Sequence, residues 1–197
     1  RDAFYVFYPY REGKPLIADE EQLRRNVGTY LERHLLPARD MLAARRSIKD
    51  KVNDWWKLTR PRGLHMRREA RIVSTYFGRA GSFAWDDTGE YVVVQGYVWE
   101  PKSNLRRWPG WGPAYLAILN SVFMEELLST VSSHVRGGQW NLSKRYAENL
   151  PIPDLFDIAV DENLRKELET IGRSIHRGQP MDAEMLKDLV MRAYQLV

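Results

Sequence analysis

The chain has 197 residues, 44% hydrophobic and 28% charged, a balance that supports a packed core and excludes a disordered protein. It has no cysteine, which rules out disulfides and thiolate metal sites, and no apolar run reaches the ~18 residues of a membrane span. The net charge of +4 is unevenly spread: between positions 39 and 79, twelve Lys and Arg face four acids, so that stretch is +8 and the rest about −4. No signal peptide is visible, so the cytoplasm is the expected location. A first residue of Arg instead of Met is expected of a processed chain or a piece of a longer one.

Phe4-Tyr5-Val6-Phe7-Tyr8 is a β-branched and aromatic run that predicts a strand stopping at Pro9. Asp19 is placed to cap a helix, with Gln22 as a capping-box partner and Leu23, Val27, Tyr30, Leu31 and Leu35 on its apolar face. Pro37 predicts a kink or break before helix resumes over residues 38–48. Trp55-Trp56 follows, with core packing expected for at least one ring, and then Arg60-Pro61-Arg62 on a stiffened turn, with Arg67, Arg68 and Arg71 close behind. An arginine-rich run with so few interleaved acids suits phosphate contact better than a solvated helix face.

Three short strands are predicted at residues 72–77, 83–85 and 91–98, joined by turns at Gly78 to Gly81 and at Asp87-Thr88-Gly89, with at least one bulge. A single D-T-G does not make an aspartic protease, which needs two carboxylates sharing a proton. Residues 100–112 form a loop carrying Lys102, Arg106, Arg107, Trp108 and Trp111; its tryptophans suit either recognition or plugging of the core.

A long helix is predicted from Gly112-Pro113 onward, since Leu116, Leu119, Phe123, Leu127 and Val131 recur on one stripe. It stops after His134, where Arg136-Gly137-Gly138-Gln139 makes a turn, followed by Trp140-Asn141-Leu142-Ser143-Lys144-Arg145-Tyr146 and the extended Leu150-Pro151-Ile152-Pro153. After Pro153 nine acids face six Lys and Arg. Asp161 and Asp182 are placed to cap two helices, bearing Leu164, Leu168, Ile171 and Ile175, and Leu186, Leu189, Val190 and Ala193. Gly178 and Pro180 turn between them, so the tail reads as an αα-hairpin whose charge argues against DNA contact.

L-x-x-L-N-S on a helix, a G-G turn, a basic-aromatic stretch and a closing L-P-I-P together resemble the C-terminal specificity domain of TaqI-type adenine DNA methyltransferases. That domain also ends many type IIG restriction-modification proteins. The resemblance runs from about Phe4 to Pro153, with W-x-L-x-x-P-R at residues 56–62 as a further shared feature. It implies a target-recognition domain over residues 1–153; with the helical hairpin of 154–197, which lies beyond the resemblance and is expected to pack on it, the chain reads as an α+β fold, a helical scaffold on a small antiparallel sheet. It also implies double-stranded DNA as partner, a methyltransferase catalytic domain of the same parent chain, and S-adenosylmethionine bound in that other domain.

The chain itself carries no N-P-P-Y, no glycine-rich cofactor loop, no G-x-S-x-G and no H-E-x-x-H. Its four histidines are far apart. No catalytic or metal-binding residue is therefore assigned. Candidates for phosphate grip are Arg60, Arg62, Arg67 and Arg68. Those suited to base edges are Arg106, Arg107, Gln139, Asn141 and Lys144, with Lys102, Arg136 and Arg145 on the same basic segments. Two alternatives stand beside this reading: another kind of non-catalytic nucleic-acid-binding module, and a protein-interaction module built on the tryptophans.

Overall fold

A computed structural model describes residues 7–11, 13–45, 52–59, 68–93, 95–102, 104–157 and 160–196. The chain divides into two compact units, residues 1–67 and 68–197. The boundary drawn from sequence after Pro153 does not coincide with this division, because the C-terminal hairpin shares the core of the second unit. The class is α+β, with small antiparallel sheets and a closing helical pair.

In the first unit, β1 (Tyr10–Arg11) pairs with β2 (Lys14–Pro15). The strand predicted over residues 4–8 lies mostly outside the described residues, and Phe7 to Pro9 take no strand pairing. Asp19 caps α1 (Glu20–Tyr30) through its carboxylate, which accepts from the Gln22 N–H at 2.8 Å, while the Gln22 side chain accepts from the Ala18 N–H at 2.6 Å. Approaching Pro37, the helix widens into a π turn over Leu31–Leu35 and then tightens to 3-10 at Leu36–Ala38. Proline donates no hydrogen bond and its ring crowds the carbonyl four residues back, so the ladder is re-spaced around it.

A short α2 (Arg39–Ala43) follows. Both Trp55 and Trp56 are buried, with Leu23, Leu31, Leu35 and Ile17, and the Trp55 indole N–H donates to Glu20 at 2.9 Å. Several cations of the basic stretch serve this unit. Arg45 donates to the carbonyls of Leu42, Trp55 and Lys57, Lys57 pairs with Asp54 at 2.7 Å, and Arg39 lies over the Trp55 ring.

The second unit contains two three-stranded antiparallel sheets. β3 (Arg71–Ser74) is central to one, between β5 (Phe83–Asp86) and β6 (Tyr97–Trp99). β4 (Phe77–Gly78) belongs to the other, where it pairs with β8 (Gln139–Asn141), which in turn pairs with β7 (His134–Val135). The run predicted as one strand over residues 72–77 thus changes sheets at Thr75-Tyr76, and the third predicted strand is confined to Tyr97–Trp99.

The long helix predicted beyond Pro113 is two helices, α3 (Trp111–Leu119) and α4 (Val122–Val131), bent by 68°. Ser121 makes the break: its hydroxyl accepts from the Met124 N–H at 3.1 Å and so caps α4. Asn120 fills the corner, where its side chain accepts from the Phe83 N–H and donates to the Phe83 and Leu116 carbonyls. Every residue of α3 is buried. No single helix among the described residues is long and apolar enough to cross a membrane.

α3 is covered by α6 (Glu162–His176) and α7 (Ala183–Ala193), capped by Asp161 and Asp182. Gly172 of α6 lies directly on the Pro113 carbonyl, where no Cβ would fit. Gly112 lies flush against the Trp85 ring of β5. Glycine at these two positions lets α3 sit in close contact with both a helix and a sheet.

Candidate nucleic-acid interface

Of the residues proposed to grip phosphate, Arg60, Arg62 and Arg67 lie outside the described residues, and Arg68 is exposed. Arg71, counted with them as part of one basic patch, is 1% exposed and pairs with Asp86, also 1% exposed, at 3.1 Å. The same guanidinium donates to the carbonyls of Gly89 and Tyr91. It is therefore a buried tie that holds the D-T-G turn against β3, and its charge is not presented to a partner. Its acid lies fifteen residues away, so the basic run gives no sign of the pairing.

Five sequence candidates are brought together on the second sheet and the helix after it. Arg136, Gly137 and Gly138 form the tip of the β7–β8 hairpin, with φ of 91° and 74° at the glycines, and a Cβ at either would meet open space. Pairing of Val135 with Gln139 and of Phe77 with Asn141 puts these four side chains on one face. Trp140 points to the other face, stacks edge-on with His134 at 4.9 Å and packs against the main core. Buried Leu142 then anchors the strand, its N–H donating to the Tyr76 carbonyl at 3.0 Å. Gln139 and Asn141 thus look outward because their neighbours on either side along the strand look in.

α5 (Lys144–Ala147) follows, with Lys144 and Arg145 exposed and the Arg145 guanidinium over the Tyr146 ring. Among the described residues, no ion pair engages Arg136, Lys144 or Arg145. In the C-terminal hairpin most cations are matched by acids, Arg165 and Arg177 being exceptions among the described residues. There Lys166 pairs with Glu162, Arg173 with Glu169, Lys187 with Glu126 and Arg192 with Glu167. Cations already matched by acids have little field to offer a phosphate, whereas unmatched ones retain theirs.

The sheet is held in place from behind by α4, whose Glu125 accepts from the Ala80 N–H at 3.0 Å. The bend at Asn120-Ser121 thus sets the position of β4. Two residues here were missed in the sequence as contact candidates. Phe77 is 45% exposed on the outward face, and Arg79 is exposed just beyond it. The sequence signal is the Phe77-Gly78 alternation, which reads correctly only once β4 is assigned to the second sheet.

Lys102 and Arg107 are exposed on a different part of the unit, and the side chain of Arg106 lies outside the described part of the chain. Lys102 borders a cleft of about 370 Å³ walled by Trp99, Trp111, Tyr115 and Ile152, which none of the hairpin residues lines. The two loop tryptophans are packing residues: Trp111 meets Trp85 edge-on at 4.8 Å, and half-buried Trp108 meets Phe156 at 5.6 Å. The Tyr115 hydroxyl donates to the Pro153 carbonyl at 3.0 Å, so the L-P-I-P segment is tied to α3; burial pushes that phenol above its ordinary pKa.

No group of three His, Asp or Glu among the described residues is arranged to hold a metal ion. No family model matches the chain, and no curated protein matches it.

Proposed function

We propose that the chain recognises duplex DNA as the specificity domain of an adenine-specific DNA methyltransferase or restriction-modification protein. The observation that carries this reading is the β7–β8 hairpin. It presents an arginine at a glycine tip, two amides on its outward face and a following basic turn of helix, with no acid neutralising the cations among the described residues. Amides and guanidinium groups of this kind read base edges in the major groove. Arg136, Lys144 and Arg145 supply phosphate contacts together with Arg60, Arg62, Arg67 and Arg68, while Gln139 and Asn141 face the bases. Lys102, Arg106 and Arg107 would add contacts to the duplex from a separate loop of the same unit. The transfer itself, and S-adenosylmethionine, belong to a catalytic domain that must flip the target adenine out of the helix while this one holds the flanking duplex.

A second reading is a single-strand binder, favoured by the exposed Phe77 ring on a sheet face. The protein-interaction alternative has less support, since none of the seven tryptophans is exposed. Titrating the chain with labelled duplex and single-stranded oligonucleotides across a salt series separates these readings. The DNA-specificity reading expects duplex preference, an enriched site after selection from random duplexes, and a steep salt slope. Replacing Arg136, Lys144 and Arg145 with Ala should flatten that slope by about 0.9 for each phosphate left without its cation. An unchanged slope removes the hairpin as the grip, and stronger binding to single strands overturns the reading.

A further inference from the structure

Asn141 lies where a base-reading amide is expected, but its two polar atoms are not equally free to bind. Its Oδ1 accepts from the Ser143 N–H at 2.9 Å, closing the turn that starts α5. Asn141 is half-buried on the face it shares with Phe77, and its Nδ2 donor carries no hydrogen bond among the described residues. Adenine recognition by asparagine uses both atoms, one accepting from N6 and one donating to N7. One of the two Oδ1 lone pairs of Asn141 is thus already engaged, and the amide group left wholly unengaged is the Nδ2 donor. Directly across the ladder on the same face stands Phe77, 45% exposed. Opposed side chains in such a pair are about 5 Å apart at Cβ. The pair therefore presents a hydrogen-bond donor beside an apolar surface.

Each base pair shows a distinct pattern in the major groove, and one matches this combination. Thymine carries an acceptor, O4, next to the C5 methyl group. Cytosine places an amino donor where O4 would be, opposing the Asn141 donor. Guanine and adenine offer an acceptor to Nδ2 but no methyl group, and either would leave the Phe77 ring against a polar edge. We propose that Phe77 and Asn141 read one thymine of the target site, with Nδ2 donating to O4 and the phenyl ring covering the methyl. This rests on the duplex-DNA reading above and names the base that the hairpin selects. The neighbouring cations Arg79, Arg136 and Lys144 hold the backbone on either side, so an apolar contact in the groove is matched by charge at its rim.

The test uses the 197-residue chain and the duplex it enriches from a random pool, with each thymine exchanged in turn for uracil, which lacks only the methyl, or for cytosine. At one position the wild type should weaken about fourfold in affinity on removal of the methyl and about tenfold or more on exchange for cytosine. Phe77→Ala should bind thymine and uracil equally there, and Phe77→Leu should keep part of the difference. Asn141→Asp keeps the oxygen that accepts from Ser143 but replaces the unengaged donor with an acceptor, so preference at that position should move from thymine to cytosine. If Phe77→Ala retains the full methyl effect, or Asn141→Asp still prefers thymine, the pair does not read this base, and site-specific duplex binding stands without it. If the wild type shows no duplex preference at all, the DNA-recognition reading falls and this assignment falls with it.

Discussion

Tyr194 ends α7 with its hydroxyl buried and without a hydrogen-bond partner among the described residues, its ring edge-on to Phe123. Burial is the main cause that raises its pKa, with the nearby Tyr115 phenol adding to the rise. A phenol whose folded pKa exceeds its unfolded value favours the native state while both forms are neutral. That contribution is present below about pH 10 and is lost as pH rises further, because the unfolded chain ionises first. Urea midpoints should therefore fall between about pH 8 and about pH 10.5. Tyr194→Phe should reduce the fall, leaving the part due to Tyr115 and Tyr10, whose phenols are also raised by burial. At neutral pH the same change removes an unsatisfied buried hydroxyl, so it should be neutral or stabilising by about 1 kcal/mol. Destabilisation at neutral pH would mean that the hydroxyl has a partner.

Among the elements, those legible in the sequence are the ones whose determinants are local. Asp19, Asp161 and Asp182 each cap the helix they precede; the stripe of α7 is buried throughout, while that of α6 buries Leu164 and Leu168 and leaves Ile171 and Ile175 half-buried against the same core. The α3–α4 stripe was legible but its continuity was misleading. Leu116, Leu119 and Phe123 are buried across a bend that depends on Ser121 and on Asn120 reaching Phe83, a contact 37 residues distant. The transfer of β4 to the second sheet was hidden for the same reason, since its partner β8 lies more than sixty residues later. In the candidate interface, the G-G turn ahead of Gln139 and Asn141 is legible, whereas the pairing of Arg71 is not, because only tertiary structure reveals Asp86.

The α3–α6 packing leaves no room for a side chain at Gly172. Gly172→Ala drives a methyl group into the Pro113 carbonyl, which is backbone and cannot rotate away. The two helices must separate, at a cost of about 1–3 kcal/mol. Thermal melting should show it, while Gly178→Ala, beyond the helix in open space at φ 70°, should destabilise less. Equal effects would mean that backbone conformation, not helix packing, decides both.

For the whole molecule, two separate buried clusters underlie the two compact units: one around Trp55 and Trp56, the other around α3. The C-terminal hairpin belongs to the second cluster through Leu164, Leu168, Leu186, Leu189 and Val190. Truncation after Pro153 therefore uncovers one side of α3, a helix with every residue buried, and residues 68–153 should no longer unfold cooperatively. A fragment of residues 68–197 should still do so, as judged by circular dichroism during a thermal scan. A stable 1–153 fragment would instead make the hairpin an accessory to a core complete without it.

The open tip of the β7–β8 hairpin bears on how such a chain could change over generations. Nothing crowds Gly137 or Gly138, so residues can be added there without displacing the core. Strand geometry sorts those additions by parity. Extending both arms equally keeps the outward face outward and lengthens the probe, offering new positions for recruitment. One extra residue within β8 reverses every side chain beyond it, turning Trp140 to solvent and Asn141 inward. Lineages descended from this chain should therefore diversify by paired lengthening at the tip and by point changes at positions 77, 139 and 141, with single-residue insertions in β8 purged.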